Sequence, residues 1–426
     1  MSFALKVPVF EPTFEEFSDF RKYVTSIEPL ARDIGLCKII PPREWRESQP
    51  NFGSIINKVL DPDFQESQLD EVEQAGAKIL DSILIKNPLE QQFQGKGGCY
   101  SQLNLESRKK FSLYDFKRFS EGKMKKTPEI KCSTDEEKYA ELYKIYWKTL
   151  SFSETYYGAD MAGTLFPDDF KIWNISRLDN ILTDIPMNIP GVNSSYLYFG
   201  MWKASFAWHV EDLDLFSINY IHFGEPKQWF CIPPKYKSMF ERLCQHYFPE
   251  GFQRCSEYLR HKSSILSPSI LRHHKIPYVE MLHKEGEIMI TFPYGYHSGF
   301  NYGFNCAESV NFAFESWLEI GRKARVCRCN SDSVKMNFDD VFQTYFRKLI
   351  PKIKIPSKVC ILCGKCNSEN LIKTDSSYWA HKDCALHTTG ISLLSNGEMA
   401  CGVEDILELK NQTVIFIVIP GMLCVQ

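Results

Sequence analysis

The chain of 426 residues lacks any apolar run long enough to cross a bilayer. The longest, 414–423, is broken by Pro420 and falls well short of the ~20 residues a spanning helix needs. The first thirty residues carry charges and prolines and lack the apolar stretch of a secretory signal. An excess of positive charge is also missing. The 50 Lys+Arg against 53 Asp+Glu leave a net charge of −3, too little for a protein held on DNA by phosphate attraction. No direct sequence-specific DNA binding and no membrane partner are therefore expected, and a slightly acidic surface suits a basic peptide better. Cysteine is not scarce, but the count of 15 is odd and several stand near histidines. That pattern favours reduced thiols and metal sites over a disulfide framework. The expectation is a soluble intracellular protein.

Histidine is scarce, which makes its placement informative. His209-Val210-Glu211 followed far downstream by His297 has the form of a 2-His-1-carboxylate triad, which holds one face of an Fe(II) ion and leaves positions open. The spacing alone decides little. With 10 histidines and 53 acidic residues, about one His-x-acid triplet is expected by chance, and three occur: His209-x-Glu211, His283-x-Glu285 and His381-x-Asp383. Context selects the first. Residues 196–210 are rich in aromatics and free of proline, as buried strands are. On a strand, residues i and i+2 share a face, so His209 and Glu211 reach one ion together. Residues 287–299 read as a strand running into a turn that presents His297 at its end. Strand-like runs at 216–223 and 228–233, with Gly/Pro turns between them, predict a double-sheet jelly roll of the cupin type.

The length predicts two or three domains. Near the N-terminus a helical stretch (13–24) precedes an extended one (36–42), and Thr13 with Glu16 forms a capping-box signature. Residues 61–82 carry seven Asp/Glu and Lys78, with Leu69, Val72, Ile79 and Leu80 at near-helical spacing. An amphipathic helix is expected there, its outer face solvated or available to a partner. Residues 130–150 read as a further helix, and 334–354 as a helical extension packed on the core through Phe338, Phe342, Tyr345, Phe346 and Leu349.

These runs resemble the JmjN and JmjC domains of histone lysine demethylases, above all YLYFGMWKASFAWHVEDLDLFSINYIHFGEPKQWF, ITFPYGYHSGFNYGFNCAESVNFA and VFEPTFEEFSDFRKYV…GLCKIIPPREW. The nearest subfamily acts on tri- and dimethylated lysines 9 and 36 of histone H3. The resemblance covers roughly residues 8–50 and 88–350. It implies a mainly β protein with flanking helices, its JmjC core a double-stranded β-helix. The expected order is a JmjN-like segment (8–50), a linker with the acidic insert (51–98), a mixed segment (99–162) and the JmjC domain (163–330). A helical extension (331–355), a partial extended-PHD-like knuckle (358–390) and a tail (391–426) follow.

The resemblance also implies roles for residues. His209, Glu211 and His297 hold Fe(II), and Lys227 and Asn219 bind 2-oxoglutarate, which is consumed with O2. Gly191, Tyr196, Tyr198, Glu211, Ser309 and Asn311 form a methylammonium pocket, with Lys262 at its mouth. Val310 stands where several members carry a hydroxyl. A family tyrosine that binds the distal carboxylate is expected after the turn Gly95-x-Gly97-Gly98, where this chain places Leu103, with Tyr100 on the other face. Weakened co-substrate binding is the consequence. Cys255, His261, Cys327 and Cys329 match a Cys3His zinc site. Cys360, Cys363, His381 and Cys384 resemble a second zinc knuckle, with only Cys401 and Cys424 following.

The implied activity is oxidative demethylation of tri-/dimethyl-lysine in the histone H3 tail. 2-Oxoglutarate is decarboxylated to succinate and the hydroxylated methyl leaves as formaldehyde, in the nucleus and on chromatin. Two alternatives are a protein hydroxylase on the same scaffold and an inactive chromatin-binding scaffold.

Overall fold

The computed structural model describes residues 5–327 and 329, apart from 124, 153, 185–188 and 190, and beyond them 341, 371–373 and 379–381. The chain divides into two units, Met1–Tyr345 and Phe346–Gln426. In the second, Leu371–Lys373 pairs antiparallel with Trp379–His381. The expected helix at 334–354 (Val341 apart), the side chains of Cys360, Cys363, His381 and Cys384, and the tail at 391–426 lie outside the described residues.

In the first unit two sheets face each other, as the alternation of strands and Gly/Pro turns predicts. The larger has ten strands, ordered Val9–Phe10, Leu36–Ile39, Ile288–Thr291, Phe216–Gly224, Asn305–Phe312, Tyr196–Gly200, Thr155–Ala162, Leu89–Lys96, Cys99–Glu106 and Ser264–Leu266. The smaller has four, ordered Val279–His283, Lys227–Ile232, Tyr296–Asn301 and Ser205–His209. The aromatic run at 196–210 is thus two strands in different sheets, joined by a bend where Lys203 takes a left-handed φ of 66°. The stretch at 287–299 differs from expectation in one respect. The backbone turns at 292–295, and His297 is the second residue of a new strand rather than the tip of a turn.

The N-terminal segment completes the larger sheet. Leu36–Ile39 pairs antiparallel with Ile288–Thr291, and Val9–Phe10 adds to it in parallel. The capping box forms, with Thr13 accepting from the Glu16 N–H and the Glu16 carboxylate accepting from the Thr13 N–H. The following helix, Phe20–Ala31, is capped by Asp19. Trp45 ties this segment to the jelly roll. It is fully buried, donates its Nε1–H to the Ile172 carbonyl at 2.7 Å, and meets Phe17 and Tyr220 edge-on at 5.3 Å between centroids.

The acidic insert folds as the helix Glu71–Asp81 behind an Asp70–Glu73 capping box. It is not merely solvated: Leu80 is buried and Gly76 lies against Ile55 and Pro50 of the preceding segment. Val72 points outward. The helix expected at 130–150 is present as Asp135–Thr149, with Leu142 and Tyr146 buried. None of the described helices is long and apolar enough to cross a membrane.

Trp45→Ala should cost about 3–5 kcal/mol, because it empties an indole-sized volume and removes the donor to Ile172. Thermal unfolding should show a clear drop in Tm. An unchanged melting curve would mean that the N-terminal segment does not stabilise the jelly roll.

Candidate metal centre and active site

His209 closes one strand of the smaller sheet and stands directly opposite His297 on its neighbour. The two rings lie 4.3 Å apart between centroids. Each donates its Nδ1–H to a carbonyl two residues back, His209 to Ala207 at 2.7 Å and His297 to Gly295 at 3.0 Å. Those bonds engage both Nδ1 atoms and turn both Nε2 atoms to the site, the arrangement metal-binding histidines use. Glu211 follows two residues past His209, with Oε1 3.3 Å from His297 Nε2. One ligand atom from each of the three lies within 4.8 Å of the others. Burial alone would raise the Glu211 carboxyl, but the hydrogen bond and charge of His297, with His209 and Lys262, hold it well below the carboxylate range. Burial and the neighbouring charges of His297 and Lys262 push His209 far down, so it is neutral. A carboxylate beside two imidazoles is the donor set that suits a divalent cation, and the site fits Fe(II).

The other described triplet does something else. His283 is buried with both nitrogens engaged, Nε2 to the Glu287 carbonyl at 2.8 Å and Nδ1 to Trp229 Nε1 at 3.2 Å. Burial lowers its pKa to about 3, so it serves as a neutral structural link. The His381-x-Asp383 triplet has no described side chains.

Glu211 is held by an unusual turn. Leu213 and Asp214 both adopt left-handed φ, 54° and 50°, at a cost of about 1–3 kcal/mol each for non-glycine residues. Asn311 donates to Glu211 Oε2 at 3.1 Å and to the Phe216 carbonyl at 3.0 Å, joining the carboxylate to the larger sheet.

The sheet that carries both histidines also carries a buried cation. Lys227, 1% exposed, donates to Asn301 Oδ1 at 2.7 Å, and no carboxylate pairs with it among the described residues. Burial pushes its pKa down to about 7. Its ammonium lies 5.5 Å from the ring centroid of Tyr157, whose phenol reaches Asn301. Burial, then the charge of Asp160, raises the Tyr157 pKa, so the phenol stays protonated and remains a donor. Gly200 makes room for this group, since a Cβ there would sit 2.4 Å from Asn305 Oδ1 and 2.6 Å from Asn301. Asn219, on Phe216–Gly224, has a buried Oδ1 without a protein partner. A buried lysine and a protonated phenol, linked through Asn301, are groups that suit a small carboxylate.

Leu103 has no place among those groups. It lies 45% exposed on the outer face of Cys99–Glu106, opposite Gln92. The tyrosine beside the lysine is Tyr157, on the strand Thr155–Ala162 that pairs with Tyr196–Gly200. Leu103 is therefore not the residue near Lys227: the phenol there comes from a strand some fifty residues further on, and Tyr100 donates to the Trp147 carbonyl. The one sequence signal for Tyr157 was its place in a run of small and aromatic residues, which is buried throughout from Thr155 to Ala159.

The expected pocket residues also converge. Tyr196 stands opposite Ser309 and Tyr198 opposite Ala307 across one strand pair, and the two rings meet edge-on at 6.5 Å. Gly191, with φ of 77°, must be glycine, because a Cβ would lie 2.4 Å from the Tyr196 ring. Tyr198 donates to Asp160 at 3.0 Å. The Ser309 hydroxyl donates to the Ile218 carbonyl at 2.7 Å, and the amide of Asn311 is spent on Glu211 and Phe216. Oxygen acceptors and ring faces remain for a guest. Lys262 stands at the rim, where crowding opposes its charge but Glu211, Asp212 and Asp160 outweigh that and raise its pKa.

A second cluster brings together Cys255, His261, Cys327 and Cys329, again within 4.8 Å. The Cys327–Cys329 and His261–Cys327 separations are both 3.2 Å, and that of Cys255–Cys327 is 3.7 Å. Tetrahedral zinc, with sulfur ligands at about 2.3 Å, spaces them at about this distance. The donor set fits a closed structural zinc site.

Comparison with known proteins agrees with this geometry. Residues 196–312 match the JmjC domain, hydroxylase, and residues 8–41 match the jmjN domain. The chain is 41% identical over 339 residues to lysine-specific demethylase 4B of Mus musculus, covering 78% of this chain and 28% of the relative. It is 39% identical over 338 residues to probable lysine-specific demethylase 4F of Homo sapiens, covering 78% and 48%. To lysine-specific demethylase 4D of Rattus norvegicus it is 38% identical over 338 residues, covering 78% and 60%. The chain thus spans between about a quarter and three fifths of the length of these relatives. With both domains matched and the jelly roll in place, the chain carries a JmjN and a JmjC domain and is similar to the lysine-specific demethylases over 78% of its length.

Proposed function

We propose that this chain is an Fe(II)/2-oxoglutarate-dependent demethylase of tri- and dimethyl-lysine in the histone H3 tail, at lysine 9 and/or 36, acting on chromatin in the nucleus. The observation that carries the reading is Lys227, a buried ammonium with no anionic partner among the described residues, in the same small sheet as an iron-type triad. His209, Glu211 and His297 would hold the iron. When bound, iron with 2-oxoglutarate and O2 supplies the oxidising chemistry that hydroxylates an N-methyl group.

The protein's own part is positioning and exclusion of water. Lys227 and Tyr157 would hold the distal carboxylate of 2-oxoglutarate, with Asn219 donating to the same molecule. Tyr196, Tyr198, Gly191, Ser309 and Asn311 would receive the methylated ammonium, which has little to donate and is attracted by oxygens and ring faces. Glu211 faces both sites, and Lys262 would stand at the mouth. The slightly acidic chain suits a basic histone tail. His209→Ala should abolish formaldehyde release from a trimethylated H3 peptide while leaving the melting curve near that of the wild type. Wild-type protein that turns over 2-oxoglutarate without releasing formaldehyde would instead indicate a protein hydroxylase, and no turnover at all would indicate a scaffold.

Co-substrate binding should show a specific pH dependence. In the free site Lys227 titrates near 7, and a bound carboxylate raises that value, so binding takes up a proton above pH 7. Affinity for 2-oxoglutarate should hold below pH 7 and weaken above it, by up to about tenfold per unit. Tyr157→Phe should raise the KM for 2-oxoglutarate about tenfold or more, from a loss of ~1.5–3 kcal/mol. Leu103→Tyr should leave it unchanged. A flat pH profile, or a co-substrate KM that responds to Leu103→Tyr and not to Tyr157→Phe, would refute this assignment.

We further propose that Cys255, His261, Cys327 and Cys329 hold zinc that the fold needs. Zinc bound only by the folded chain contributes folding free energy directly. Cys327→Ser should therefore lose one equivalent of zinc by elemental analysis and give insoluble or low-melting protein. Unaltered zinc content and Tm would rule the site out.

A further inference from the structure

The two metal clusters are joined through the turn that carries Glu211. A single helical turn, Tyr258–His261, follows Cys255, with the Tyr258 N–H bonded to the Cys255 carbonyl. Arg260 stands in that turn between two expected zinc ligands, Cys255 and His261. Its side chain is buried and reaches away from the thiols. Nη1 donates to the Glu211 carbonyl at 2.6 Å, Nη2 donates to Asp214 Oδ1 at 2.9 Å, and Nε lies 3.6 Å from Glu257. The Glu211 carbonyl also accepts from the Asp214 N–H at 3.0 Å, so one backbone oxygen closes the turn and anchors the guanidinium.

The other zinc-ligand segment grips the same turn from elsewhere. Trp317, fully buried, donates its Nε1–H to the Leu213 carbonyl at 2.9 Å. Its chain continues through Leu318–Lys323 to Cys327 and Cys329. The residues in between, Leu213 and Asp214, are the two in left-handed conformation. A strained turn keeps its shape only where its surroundings over-determine it. Here the determinants are Arg260 from one segment and Trp317 from the other, and the Cys3His cluster ties those segments together.

We infer that Arg260, backed by Trp317, is a positioning residue for the Glu211 carboxylate, and that the Cys3His cluster sets metal affinity at the triad through it. A guanidinium serves here because its planar fork bonds a carbonyl and a carboxylate at once, which an ammonium cannot reproduce. The inference rests on the reading that the triad binds a divalent cation, and its test separates the two.

Mn(II) is the probe, because carboxylate and imidazole take it while thiolates prefer zinc. Its affinity for the purified full chain would be read from the loss of the free-ion resonance, with zinc measured in the same samples. Arg260→Gln should weaken Mn(II) binding about 10- to 100-fold, the usual penalty for losing an outer support of a metal ligand, with zinc retained. Arg260→Lys should recover only part of the affinity. Trp317→Phe, which keeps the ring volume and removes one donor, should weaken binding in the same direction and by less. If Arg260→Gln loses zinc or fails to fold, Trp317→Phe with its zinc intact decides the question. Equal Mn(II) affinity in wild type and zinc-loaded variants would overturn the positioning role. Wild-type protein whose Mn(II) binding is unchanged by His209→Ala would overturn the reading of the triad itself, and the inference with it.

Discussion

The structure depends on one register. His209 and His297 face each other across a single pair of antiparallel strands, although 88 positions separate them in the chain. Because strand side chains alternate between faces, a slip of one residue would turn one imidazole out of the site. The register is held on the other flank as well, where Lys227 pairs with Asn301 and Cys231 with His297. The same alignment that sets the imidazoles together therefore puts the buried ammonium on its asparagine. Two separate chemical requirements, a ligand face and a buried cation, are met by one set of backbone hydrogen bonds.

Much of this was legible in the chain. The aromatic, proline-free run before His209 marked buried strands; Glu211, expected beside His209 by the i, i+2 rule, lies past the end of that strand, where a turn brings it to the same site. The four zinc-ligand candidates came from the resemblance to the demethylases, because a Cys-x-Cys far from a Cys and a His is commonplace, and the fold brings the four together. What could not be read was which strands become neighbours. Tyr157 sits in no motif, and it meets Lys227 only because its strand pairs with Tyr196–Gly200 in the larger sheet. Leu103 occupied a plausible position by counting from a glycine turn, and counting carries no information about sheet order. The turn at 292–295 was hidden for a related reason. A short reversal inside an apolar stretch leaves little trace in composition, yet it moves His297 from a tip into a strand.

Polar groups short of partners in the interior form a pattern too. Lys227 has an amide oxygen but no carboxylate as partner among the described residues, so a carboxylate guest would complete it. His222 and Glu308 are paired with each other at 2.9 Å, and His222 is flanked by Phe52, Phe166 and Tyr220. That pair is enclosed by aromatic rings and still leaves His222 Nδ1 and Glu308 Oε1 without partners. A buried polar group costs stability unless it is satisfied, so both places cost the fold stability, and the lysine is the one that offers a charge to a guest.

The pairing of the N-terminal strands has a consequence for biogenesis. Leu36–Ile39 finds its antiparallel partner in Ile288–Thr291, about 250 residues later in the chain. At a synthesis rate of roughly 5–20 residues per second, that partner emerges tens of seconds after the strand that awaits it. In the interval Leu36, Cys37 and Ile39, all buried in the finished protein, are exposed on an unpaired edge. Such non-local pairing is slow to form. The nascent segment is thus a natural client for holding chaperones, and the strand leading into His297 cannot take its neighbour until most of the jelly roll has left the ribosome.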